Sequence, residues 1–281
     1  MMRRLILGLV VVGFVPNAFA ADYPDLRGTE VYDPPTTYTR YVPGRPLYYP
    51  WTGFYLGGQV GYAGADMDFS EATQTLIAFS LRELALEAEV GPSQWQVLGS
   101  DASRSFVYGA FFGYNAQWED VVLGVELNYN RGSFSGTAPA SPITRATAAG
   151  GNSYVVTIDG AATMRITDLG TIRARAGWAT GGYLPYVMVG FALGRGDLTR
   201  TGIASGVETA PTVPPTVTPF SFVISETKND ALMYGWATGV GLDVAIRPNW
   251  FLRGEYEYMS VRGSDIETTF NTVRLGAGYR F

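Results

Sequence analysis

Nine charged residues stand at alternate positions of otherwise apolar or glycine-rich segments: Glu126, Arg173, Arg175, Asp243, Arg253, Glu255, Glu257, Arg274 and Arg280. Carboxylates held close together can do general acid–base work when one of them is kept protonated. Here five arginines accompany four acids, enough to keep the acids ionised, so nothing approaches a paired-carboxylate catalytic site. Two readings stay open. The charges pair and plug a narrow interior, or they line a path for ions. Either way they need compensation, because a lone buried charge is expensive.

Other chemistries lack their central residues. There is no histidine and no cysteine, which removes Ser-His and Cys-His catalysis, most zinc chemistry, disulfides and Fe–S ligation. Gly239-Val240-Gly241 and Gly276-Ala277-Gly278 lack the following helix of a nucleotide-binding turn, and small residues on an inward strand face explain them. We therefore assign no catalytic, metal or cofactor-binding residue and expect no cofactor and no enzymatic activity. The net charge of -5 falls to about -7 without the two N-terminal arginines, which argues against nucleic acid as a partner.

The elements that carry the charges alternate with period two. Phe54–Tyr62, Phe106–Trp118, Val121–Tyr129, a segment ending at Trp178, Val187–Leu193, Tyr234–Ile246, Trp250–Tyr258 and the terminal TVRLGAGYRF each show one apolar face and one small or charged face. Eight such segments predict eight strands. The gaps between them, roughly 70–105, 119–120, 131–153, 179–184, 197–231, 247–249 and 260–268, alternate long and short. That rhythm predicts an all-β fold: an eight-stranded antiparallel up-and-down transmembrane β-barrel with short periplasmic turns and long extracellular loops. No stretch of 18 apolar residues offers a transmembrane helix instead.

Magnitudes assign the faces. An arginine on the lipid face at the midplane costs about 2–4 kcal/mol, so Arg173 and Arg175 point inward. Asp168 shares the face of Ile172, yet it lies near the outer interface, where the penalty falls to about 0–1 kcal/mol. Tyr108 and Trp118 sit about 23 Å apart along the membrane normal, close to the apolar band. Trp118, Trp178, Trp250, Tyr279 and Phe281 are expected in the periplasmic aromatic girdle, and Tyr108, Trp236 and Tyr258 in the outer one.

Three further segments complete the organisation. Residues 1–20 carry Arg3 and Arg4, an apolar run from Leu5 to Val15, and Ala18-Phe19-Ala20, the pattern of a secretory signal peptide. Residues 21–50, rich in proline and tyrosine, read as an extended periplasmic N-terminal arm, leaving 51–281 as the barrel. In the first long loop, Ile77, Leu81, Leu84 and Ala88 recur at helical spacing, which predicts a short amphipathic helix over 75–90. Residues 199–222, rich in Thr and Pro, read as a mobile exposed loop and the place for recognition.

The stretches WTGFYLGGQVGYA (51–63), LGTIRARAGW (169–178), LPYVMVGFALG (184–194), YGWATGVGLDVAI (234–246), PNWFLRGEYEYM (248–259) and TVRLGAGYRF (272–281) resemble the small outer-membrane β-barrel proteins of alphaproteobacteria, the surface-antigen relatives of the opacity and OmpA-type barrels. The resemblance implies the cell outer membrane as location and outer-membrane lipid and lipopolysaccharide as surroundings. It also implies that the terminal Phe281 is a signal to the barrel-assembly machinery. The longer loops and proline-rich leader depart from the family, which leaves a surface ligand or host factor open. Two functions follow as expectations: a structural or surface-interaction barrel with a plugged lumen, or a narrow porin.

Overall fold

The computed structural model describes residues 50–281. The signal peptide and the proline-rich arm, up to residue 49, lie outside the described residues. Among the described residues nine strands are present: β1 (Gly53–Asp68), β2 (Ser100–Trp118), β3 (Val121–Thr137), β4 (Ile143–Ala149), β5 (Asn152–Trp178), β6 (Tyr183–Ala210), β7 (Thr216–Ala245), β8 (Trp250–Gly263) and β9 (Ile266–Arg280). Every pairing is antiparallel. β1 pairs with β2 and with β9, and β3 pairs with β5, so eight strands close into a ring with no free edge. The ninth, β4, adds to β5 outside the ring.

The one-residue alternation predicts the faces because a strand turns successive side chains to opposite sides. Leu56, Val60, Phe106, Val125, Ile172, Val189, Leu252 and Leu275 all lie exposed on the outside. Glycine on the inward face makes room for inward aromatics. A Cβ at Gly241 would stand 2.3 Å from the Tyr186 ring, and one at Gly278 would stand 2.2 Å from the Phe251 ring. Each glycine is the register partner of the ring it admits.

The strands are much longer than a membrane requires. β5, β6 and β7 run 27, 28 and 30 residues, whereas about 9–11 tilted residues cross the apolar core. Two expectations change as a result. Residues 199–222 are not an open loop: β6 and β7 stay paired from Leu198↔Lys228 to Ala210↔Thr216. β-branched and aromatic residues (Ile203, Val207, Val217, Phe220, Val223, Ile224) sustain the strands, while Pro211, Pro214 and Pro215 fall in the connecting turn. Pro219 lies where β7 has β6 on one side only, the edge position a proline tolerates. With β4, these strands form a four-stranded sheet standing above the barrel.

The first long loop holds two helices rather than one. α1 is Gln74–Leu81 and α2 is Ala85–Val90, divided at Leu84, whose backbone is extended. The break lets Ile77, Leu81 and Leu86 all be buried among residues that include Val156, Ile158 and Ala204 of the raised sheet. α2 ends on Gly91 in the left-handed region at φ 61°, where its N–H donates to the Glu87 carbonyl.

Candidate functional site

The closed ring turns Glu126 (β3), Arg173 and Arg175 (β5), Asp243 (β7), Arg253, Glu255 and Glu257 (β8) and Arg274 (β9) into one lumen. All eight are buried. Register sets three of the meetings directly: Glu126 faces Arg173, Asp243 faces Arg253, and Glu255 faces Arg274 across neighbouring strands. Arg175 with Glu126 and Arg274 with Glu257 meet diagonally between neighbouring strands, and the other pairs between strands reach across the lumen.

Glu126 is the hub. It accepts from Arg173 Nε at 2.9 Å, from Arg253 Nη1 at 2.7 Å, from Arg175 Nη1 at 3.3 Å and from the Tyr55 hydroxyl at 2.7 Å. Arg173 reaches on to Glu255 at 2.8 Å and Glu257 at 2.8 Å. Arg274 holds the same two acids from the far side at 3.0 and 2.9 Å. Asp243 takes Arg253 at 2.8 Å and Arg175 at 2.7 Å. Four arginines thus meet four acids, and the charge closes to zero.

Arg280 departs from the expected set. Its guanidinium donates to the Pro248 carbonyl and sits 5.4 Å from the Trp51 ring centre, with no acid partner among the described residues. The reason is distance along β9: six residues separate it from Arg274, about 20 Å of strand. Arg280 therefore closes the end of the barrel and does not join the network.

Several members were not singled out from sequence. The Tyr186 hydroxyl donates to Glu255 at 2.5 Å, and its ring lies under Arg175 at 3.7 Å. Tyr55 joins through Glu126. Beside the charges, Gln59, Asn128 and Asn130 bond one another, with Gln59 Nε2 donating to Asn128 at 3.0 Å and Asn130 Nδ2 donating to Asn128 at 2.7 Å. Inward parity on β1 and β3 was the signal that marks Tyr55, Gln59, Asn128 and Asn130, but parity alone does not name partners.

Apolar layers lie on both sides of this polar band. Toward the short turns, Trp51, Phe111, Val122, Leu184, Met188 and Phe251 form one cluster. Toward the long connections, Met67, Phe69, Phe134, Met259, Ile266 and Phe270 belong to the other, which continues into the α1 and α2 contacts. Arg253 packs 4.1 Å over Phe111, joining the charges to the first cluster. Such an interior holds fixed, compensated charge. Among the described residues no group of acids is arranged to hold a metal ion.

The outward aromatics fall at two levels. Trp118 and Trp178 flank Val121 on successive strands, and Trp250, Tyr279 and Phe281 stack edge-on at 5.3 and 5.2 Å, all at the short-turn end. At the other level Trp236 packs on Tyr258 at 5.4 Å, while Tyr108 stands opposite Arg131.

Residues 46–281 match the family model described as outer membrane protein beta-barrel domain. The 31 kDa outer-membrane immunogenic protein of Brucella melitensis is 28% identical, with 100% of each chain covered. The Brucella suis protein of the same name is equally similar over the same span. Among solved structures, Ail, the attachment invasion locus protein of Yersinia pestis, aligns with 82% of this chain and 99% of its own at 19% identity and a TM-score of 0.31. Neisserial surface protein A aligns with 82% and 98% at 14% identity and a TM-score of 0.33. With the family match spanning all nine strands, the chain belongs to the outer membrane protein beta-barrel domain family.

Proposed function

We propose that this outer-membrane barrel is a closed, non-enzymatic scaffold that displays its raised sheet at the cell surface. The observation that carries the reading is the neutral network of four arginines and four acids, buried between two apolar clusters. An ion entering such a lumen would have to break charge-assisted bonds and pass two largely apolar layers in which Asn115 and Thr268 are among the few buried polar groups. Planar-bilayer recording on the folded protein tests the proposal. We expect no steady openings; sustained single-channel steps would favour the narrow-porin alternative and sink this one.

In this reading the N-terminal arm stays in the periplasm after signal cleavage, because β1 starts at the short-turn end. Outer-membrane lipid and lipopolysaccharide surround the aromatic levels, and the barrel-assembly machinery receives the chain during insertion. The Brucella relatives are named as immunogenic proteins, which supports surface display as the role, with the β6–β7 sheet the most prominent exposed feature.

A further inference from the structure

We propose that Arg104, Arg131 and Arg165 form a binding site for the headgroup of a glycolipid that carries more than one phosphate, in the outer leaflet around the barrel. The three residues lie on the outside of adjacent strands, and all are exposed. Ser135 of β3 is the register partner of Arg165 on β5. On its other side the Ser135 N–H donates to the Ser103 hydroxyl at 3.2 Å, which sets Arg104 of β2 beside it. Arg104 and Arg165 therefore flank Ser135 at about 10 Å from each other, two strand spacings. Arg131 stands four residues along β3, about 13 Å away. Exposed Ser133 and Ser135 fill the centre of this triangle.

The arginines are free to take a ligand. Exposed Arg195 and Arg262, by contrast, are committed to Asp230 and Glu71. Arg104, Arg131 and Arg165 form no ion pair among the described residues. Three acids are neighbours: Asp66, exposed on β1 two residues from Gly64, the register partner of Arg104, and two that are engaged elsewhere. Asp168, the register partner of Arg131, accepts hydroxyls from Tyr129 and, at 2.6 Å, from Thr167. Asp197, the partner of Arg165, accepts the Asp230 N–H at 3.1 Å.

Position selects the class of ligand. Phe106, 80% exposed, and Tyr108 share the outward face of Arg104, with Tyr129 next to Arg131 on the same side. A molecule here has acyl chains against the aromatics and its anionic head at the guanidiniums, which grip phosphate oxygens in pairs. One phosphodiester is too small to meet cations spread over about 10–13 Å. A sugar bearing two phosphates spans them, with Ser133 and Ser135 facing its hydroxyls. The inference rests on the outer-membrane placement of the barrel and not on whether its lumen conducts.

Native mass spectrometry of the full folded chain in detergent, titrated separately with bisphosphorylated lipid A, dephosphorylated lipid A and phosphatidylglycerol, tests it. We expect the bisphosphorylated lipid to bind at least about tenfold more tightly than either other lipid. Arg104→Gln/Arg131→Gln/Arg165→Gln removes that preference, while Arg195→Gln keeps it within about twofold. Heat-modifiable mobility verifies folding; should the triple variant not fold, single Arg131→Gln is expected to lower affinity by about threefold. Equal binding of the dephosphorylated lipid or of phosphatidylglycerol, or unchanged preference in the folded variants, overturns the site. Conductance of the same wild-type preparation is read separately, so an open lumen would reject the closed scaffold and leave this result standing.

Discussion

Glu126 takes hydrogen bonds from three arginines and a tyrosine, with its side chain fully buried. Neutralising it strands the guanidiniums of Arg173, Arg175 and Arg253 around a weaker acceptor. Removing one partner of a buried ion pair costs about 3–5 kcal/mol. We expect Glu126→Gln to lose stability of that order, read as a lowered urea midpoint of tryptophan fluorescence in micelles. Arg280→Gln, which removes no ion pair among the described residues, should cost less, at most the about 1.5–3 kcal/mol of a hydrogen bond to a charged group. Similar midpoints for the two variants would contradict the network's role in stability. The alternating sequence already marked which residues face inward, since parity is local. It left the partners unnamed, because Arg253 meets Glu126 across 127 positions of chain. Ring closure decides that contact, and the same closure leaves Arg280 one barrel level too low.

At the scale of elements, the apolar periodicity of 75–90 was legible, but the seat of the helices was not. That seat is the raised sheet, whose Thr- and Pro-rich sequence reads as loop until its β-branched residues find partners across the hairpin. Arg200 of β6 ties the parts together. It donates to the Ala72 carbonyl at 2.8 Å, just before α1, and to Asp265 in the β8–β9 turn at 3.1 Å, and pairs with Glu226 of β7 at 2.7 Å. Hydrogen bonding from Arg200 holds the Glu226 carboxyl below its ordinary range, with Lys228 adding to the effect. A folded-state pKa below the unfolded value means stability present above the unfolded pKa and lost as pH falls through the folded one. Amide exchange in residues 74–90 should therefore quicken as pH drops below the usual glutamate value of about 4.3, after correction for intrinsic rates. In Arg200→Ala that acid dependence should flatten, with exchange already faster at neutral pH. An identical pH profile in both proteins would rule out the tie. Glu226 is part-exposed, so the effect stays local and small.

For the molecule as a whole, two structures share one set of strands: a ring that crosses the membrane and a sheet that rises from it. The ring is closed by β1 with β9 and by β3 with β5, none of which needs the upper halves of β6 and β7. The upper half of β6 pairs with β5 as well, from Ser153↔Thr209 to Ile166↔Gly196, whereas that of β7 pairs with β6 alone and β7 meets β8 only from Tyr234 downward. Replacing residues 198–229 by an Asn-Gly turn should then leave the ring folded, since Gly196 and Ala231 are already register partners at the cut. We expect the shortened protein to keep a mobility shift on boiling in SDS. It should also stay closed in planar bilayers, because Met67, Phe134, Phe270 and the whole charge network remain. The loss should fall on α1 and α2, which lose the surface that buries Ile77 and Leu81, and on Arg200, which is deleted. Limited proteolysis from outside intact cells should cut within 74–90 in the shortened protein well before it cuts the full chain. A shortened barrel that no longer shifts on boiling would mean that the sheet is needed for ring formation. One that folds and conducts would place the seal in the raised sheet and its helices, rather than in the ionic layer below.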